Sequence, residues 1–251
     1  MMRPSYVALL AAVALSACDE AGQPLDPNAS PQFASASSTG PAGAALYEVQ
    51  ITNLTDGQPM TPPLAVTHRP SIHLFHVGDP ASVGIQEIAE NGNLPPLLGA
   101  LGESQHANDV VVAVGGIPPL LPGEERTFTI ETSRGAKLFS FAAMLICTND
   151  GFTGIDGLRL PRDVGESVSV DTDGYDAGTE INTEDFDDLV PPCGPLTGVD
   201  SGGAGTDVSN SLLSEGGVID HHAGIVGDAD LLTSVHGWMD PVTRVIITRI
   251  Q

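Results

Sequence analysis

The sequence predicts an all-β chain folded as an antiparallel β-sandwich, with long loops and one or two short helices. Three observations carry that expectation. Seven or eight short segments have strand character, several with period-two alternation of apolar and polar residues. The 29 Gly and 20 Pro divide the chain into short pieces. Helical spacing is confined to residues 82–90, with a possible second turn after it. Residues 45–251 have the size of one large all-β domain. At 41% hydrophobic the chain can bury a core, and at 4% aromatic it must pack that core with aliphatic side chains.

Residues 46–54 form the first strand candidate, in which Tyr47, Val49 and Ile51 alternate with Glu48, Gln50 and Thr52. Asp56, Gly57 and Pro59 then turn the chain. Residues 64–77 read as one or two strands interrupted at Pro70, with His73 and His76 inside an apolar run and therefore on opposite faces. Ser82 is a plausible N-cap for a helix through Glu90 that Asn91-Gly92 stops, and Pro95-Pro96 opens a second short turn. Strands follow at 110–114, 126–131, 137–146 (apolar on both faces near its end) and 166–171. Residues 171–215 read as a long Asp-, Gly- and Thr-rich loop with a short turn near 184–189. Residues 242–250 close the chain as a clear strand. No repeat recurs at a fixed period.

The N-terminus reads as an export signal over residues 1–17: Arg3, an apolar run from Tyr6 to Leu15, and small residues before Cys18. The run is too short to span a membrane. Leu15-Ser16-Ala17-Cys18 resembles a bacterial lipobox, which makes Cys18 the lipidation site and the new N-terminus. An ordinary signal peptide with an incidental Cys18 is the alternative. Residues 18–44 lack apolar periodicity and form a flexible lipoprotein tether. On the lipobox reading, the chain is expected to be an exported bacterial lipoprotein, touching the cell envelope through its N-terminal lipid only. Thirty-two acidic against nine basic residues give a net charge of −23, and Lys137 is the only lysine. Such a surface repels nucleic acid and anionic lipid and suits a salty or calcium-containing medium. With Cys18 lipidated, Cys147 and Cys193 remain as an even pair in an oxidising compartment. A disulfide between them closes a loop of ~45 residues and stabilises by about 2–4 kcal/mol. Zinc would want closely spaced Cys or His pairs instead.

Chemistry concentrates in two segments, 147–154 and 175–180. Each sets carboxylates in a Gly-rich loop beside an apolar strand, and between them Asp150, Asp176 and Glu180 offer hard oxygen ligands for one cation. The alternative is that these acids only favour turns through side-chain-to-backbone bonds. Asp171, Asp173 and Asp176 do not open an EF-hand, because Gly174 falls at the fourth position and Asn182 stands where Glu is required.

The strand 140–146 running into Asn149-Asp150, then Tyr175-Asp176-Ala177-Gly178-Thr179-Glu180 and the terminal segment 241–250, resemble in that order the spondin domain family. This is the N-terminal spondin module of F-spondin and mindin, which also occurs alone in bacterial secreted proteins. The similarity spans roughly residues 47–251. It implies a sandwich resembling a C2 domain and one calcium ion (Ca2+) held by Asp150, Asp176 and Glu180. The chain departs from the animal members at Gly151-Phe152, where they usually carry Trp, and at Glu180, where they carry Asp. By resemblance the module binds an extracellular glycan or protein in adhesion, and is not an enzyme.

A different class also fits some residues: a secreted hydrolase acting on a polymer through acids and histidines of residues 200–236. His221, His222 and His236 with Asp220 or Asp228 suggest a transition-metal site, though adjacent histidines on a strand face opposite ways. Ser201 in a Gly-rich loop has a weak hydrolase look. His68 and His106 show no recurring partner. No nucleophile elbow, zinc-protease helix or P-loop occurs. A purely structural envelope component stiffened by calcium is the third class.

Overall fold

A computed structural model describes residues 44–112, 119–133, 135–199 and 202–251. The predicted signal, Cys18, the tether up to residue 43, and Ser201 lie outside the described residues. The strands, in chain order, are β1 (Ala45–Asn53), β2 (Leu64–His68), β3 (Ala107–Val112), β4 (Glu125–Thr132), β5 (Leu138–Met144), β6 (Gly151–Arg159), β7 (Ser167–Thr172), β8 (Gly174–Asp176), β9 (Asp220–His221) and β10 (Thr243–Arg249). They make a four-stranded sheet, β4-β1-β10-β7, and a six-stranded sheet, β3-β2-β5-β6-β8-β9. Every pairing is antiparallel. The fold is the all-β sandwich the sequence predicts. No helix among the described residues is long and apolar enough to cross a membrane.

The alternation in β1 does what its period requires. Tyr47, Val49 and Ile51 are buried while Glu48 is exposed, and Val49 pairs with Ile247 and Ile51 with Val245 of β10. These side chains meet Phe139, Phe141 and Leu145 of the facing sheet in one apolar cluster. The residues between them in β5, Ala142 and Met144, point the other way into a second cluster with Leu64, Val66 and Phe152. Helix α1 (Val83–Asn91) covers that face with Ile85 and Ile88, and α2 (Pro95–Glu103) adds Leu97 and Leu101. The doubly apolar stretch of β5 therefore marks the sheet with packing on both sides. In α1, the Ser82 side chain accepts from the Ile85 N–H, and Gly92 ends the helix at φ 61°. Both ends fall where sequence signals put them.

Two expectations are corrected. Residues 72–77 are not a strand; they lie in the loop between β2 and α1. Leu74 and Phe75 are both buried there, with Phe75 packed on Phe152 and Tyr175. Residues 151–154, read as part of a Gly-rich acidic loop, instead open β6 (Gly151–Arg159), one of the longest strands. Its glycines disguise it. A Cβ on Gly154 would lie 2.4 Å from the Phe141 carbonyl oxygen and 3.0 Å from the Phe75 ring, so Gly there answers to close packing and not to a turn. The stretch 171–215 also holds β8, a 3-10 turn at Phe186–Asp188 where a short turn was expected, and α3 (Cys193–Thr197).

Candidate functional site

Asp150 ends the tight turn that joins β5 to β6. The Thr148 hydroxyl donates to the Leu145 carbonyl at 2.6 Å and accepts from the Gly151 N–H at 2.9 Å. A Cβ at Gly151 would stand 2.4 Å from that hydroxyl, so Gly is required directly after Asp150. The turn is pinned from outside too. Gln58, fully buried, donates to the carbonyls of Cys147 and His236 and accepts from the Cys147 N–H. The disulfide expected between Cys147 and Cys193 is present, with Cα atoms 5.1 Å apart.

β8 pairs with the start of β6, Asp176 opposite Gly151, and so delivers the second acidic segment to Asp150. One carboxylate oxygen of Asp150, Oδ2, accepts from the Thr179 N–H (2.7 Å), the Glu180 N–H (3.0 Å) and the Thr179 hydroxyl (3.1 Å). The other, Oδ1, is buried and has no hydrogen-bond partner among the described residues. Burial, and then the charge of Asp176, push the Asp150 carboxyl up to about 6 against those three donors. Asp176 accepts from the Gly178 N–H (2.7 Å) and the Asn182 amide (2.6 Å). Gly178 takes φ +68°, where a Cβ would strike the Val218 backbone at 2.5 Å. Glu180 is buried and accepts from the Asn210 N–H at 2.8 Å. Burial raises its carboxyl to about 7; the Asn210 N–H opposes this, and the charges of Glu90, Asp150 and Asp188 add to it.

Asp150 therefore sits at the centre of the predicted site and contacts the turn that carries the other two acids. The three carboxylates nonetheless do not close into one compact cage. Sets of three donors within 4.8 Å of one another occur among the described residues at Cys147, Cys193 and His236, at His73, His76 and Asp156, and at Asp173, His221 and Asp240. Each predicted ligand instead accepts from a backbone N–H. The donor chemistry still fits a hard cation, because Asp150 Oδ1 is a buried carboxylate oxygen facing no donor. Glu90, at the end of α1, adds a second: one oxygen accepts from the Gln86 amide (2.8 Å), and the other has no hydrogen-bond partner among the described residues. Sequence reasoning missed Glu90, because nothing local links a helical glutamate to an acid so distant in the chain.

The remaining histidines separate cleanly. His221 is exposed, 3.7 Å from Asp173, whereas His222 is buried against Trp238 with ring centroids 5.0 Å apart. β9 ends at His221, so His222 lies just beyond the strand. His236 is buried, accepts from the Leu232 N–H through Nδ1 (2.9 Å) and meets the Thr197 hydroxyl through Nε2 (3.1 Å). Burial lowers its pKa. Both its nitrogens are taken. His68, for which the sequence offered no partner, is fully buried between the Arg69 carbonyl (2.8 Å) and Ser140 (2.7 Å). His73 and His76, expected on opposite faces, stand side by side with ring centroids 4.4 Å apart.

Residues 57–184 match the Spondin_N family model. The match covers half of the chain, from the turn after β1 through Asp150, Asp176 and Glu180. No curated protein matches the chain.

Proposed function

The chain belongs to the spondin N-terminal domain family, a family of non-enzymatic extracellular modules, and from that membership we propose an exported, calcium-binding β-sandwich that binds glycan or protein outside the cell. The observation that carries the calcium is the buried, donor-free Oδ1 of Asp150 beside a turn bearing two further carboxylates. Calcium takes 6–8 oxygens in flexible geometry. Asp150, Asp176 and Glu180 would hold it, and Glu90 supplies a fourth carboxylate nearby. A bound ion would clip the β5–β6 turn to the turn after β8 and neutralise acids that otherwise repel one another.

Ligand binding at those stiffened loops, without turnover, is the function this arrangement supports best. The lipid anchor at Cys18 belongs to the same reading and places the module at the cell envelope. The decisive experiment is thermal unfolding of the purified protein in millimolar calcium against chelator, with Asp176→Ala in parallel. Calcium at a hundredfold excess over its Kd should raise Tm by about 5–10 °C, and Asp176→Ala should lose most of that rise. Identical melting in calcium and chelator would dispose of the site.

A further inference from the structure

We propose that His73, His76 and Asp156 form a second, separate metal site, selective for a borderline divalent ion of the Zn2+ class. The loop between β2 and α1 is anchored by two inward side chains. Leu74 is buried, and Phe75 packs edge-on to Phe152 (centroids 5.0 Å) and against Tyr175 (5.3 Å). Turning that pair inward throws the flanking His73 and His76 outward onto the same patch, half-exposed.

Asp156, on β6, lies beneath them and is oriented from behind. Its Oδ1 accepts from the Leu74 N–H at 2.7 Å, with the Ser140 hydroxyl at 3.4 Å. That leaves Oδ2 facing both imidazoles, 2.7 Å from His73 Nδ1 and 4.0 Å from His76 Nδ1. A tetrahedral ion with bonds of about 2.0–2.1 Å sets its donors roughly 3.3 Å apart. The two observed separations bracket that edge, so small side-chain adjustments admit the ion. Three protein donors with a fourth, solvent-facing position describe an open zinc site. The backbone N–H behind the carboxylate is the kind of outer support that orients such ligands.

Two imidazole nitrogens and one oxygen select against calcium, which wants oxygen alone. The neighbouring set of Asp173, His221 and Asp240 has one imidazole only, and Asp240 Oδ1 is engaged by the Gly174 N–H at 2.9 Å.

The test is calorimetric titration of zinc chloride into the purified protein, free of any polyhistidine tag, with millimolar calcium present to block carboxylate sites. Variants are His73→Ala, His76→Ala and Asp156→Asn, which keeps an acceptor for Leu74, with His221→Ala as control. One zinc per chain is expected, weakened at least about tenfold by each of the first three and unchanged by the control. Cobalt(II) should give a tetrahedral visible spectrum that disappears in the two exposed histidine variants, whose circular dichroism stays native. Absence of zinc binding in the unsubstituted protein overturns the proposal. So does binding that survives His73→Ala combined with His76→Ala, or that His221→Ala abolishes.

Discussion

Asp150 accepts three hydrogen bonds on one carboxylate oxygen and, among the described residues, none on the other, and its burial ties the stability of the protein to pH. Its carboxyl is raised from 3.8 to about 6. Between about pH 4 and 6 the folded protein therefore holds a proton that the unfolded chain has released. Stability falls as pH rises through that window, and the full cost, ~3 kcal/mol for a two-unit shift, is present above about 6. Asp150→Asn cannot titrate. In chelator, the variant should gain on the unsubstituted protein as pH rises from 4 to 7; in calcium the order at pH 7 should reverse. Urea unfolding at several pH values reads this directly, and parallel pH profiles for the two proteins would refute it. Gln58 is a residue-scale case of a different kind. Its amide satisfies three buried backbone groups at Cys147 and His236. Gln58→Ala leaves them unpaired and should cost about 3 kcal/mol in denaturant unfolding.

Turns between strands decide where the acids stand, and glycine decides the turns. Gly178 combines φ +68° with backbone 2.5 Å from any added Cβ, whereas Gly165 has φ +86° and open space around it. Gly178→Ala should therefore lower stability by more than about 2 kcal/mol and blunt the calcium response. Gly165→Ala should cost only about 1 kcal/mol and leave calcium binding intact. Equal losses in a melting comparison would mean that conformational strain, not the Val218 contact, sets the cost. At this scale the sequence was readable wherever one local period ruled. β1, β4, β7 and β10 alternate, and α1 carries its own cap and stop. Residues 72–77 and the start of β6 differ from their local reading because Phe75 of the loop packs against Gly154, a demand that no local window contains.

Across the whole molecule, the Cys147–Cys193 bridge ties the β5–β6 turn to α3 across a separation of 46 residues. The chain-entropy treatment assigns such a loop about 4 kcal/mol. Reduction, or Cys193→Ser, should lower stability by roughly that amount and weaken calcium binding as well, because Cys147 lies three residues before Asp150. Intact calcium affinity in the reduced protein would show that the turn holds itself. A net charge of −23 repels itself over the entire surface. Raising sodium chloride from low to physiological concentration should therefore raise Tm even in chelator.

By itself the sequence determined the fold class, the Cys147–Cys193 pair, most strand positions and the acidic segments that meet at Asp150. Each is written in short-range chemistry: a period of two, a run of glycines around carboxylates, and two cysteines within the domain. Only the tertiary structure decided that Asp150 is buried beneath the turn that carries Glu180, that the charge of Glu90 on α1 reaches Glu180, and that His73 and His76 meet over Asp156. Those facts depend on which residues become neighbours after the chain folds and how much water is then excluded around them. Burial sets the charge state of a carboxylate, and packing of Phe75 sets the direction of two imidazoles.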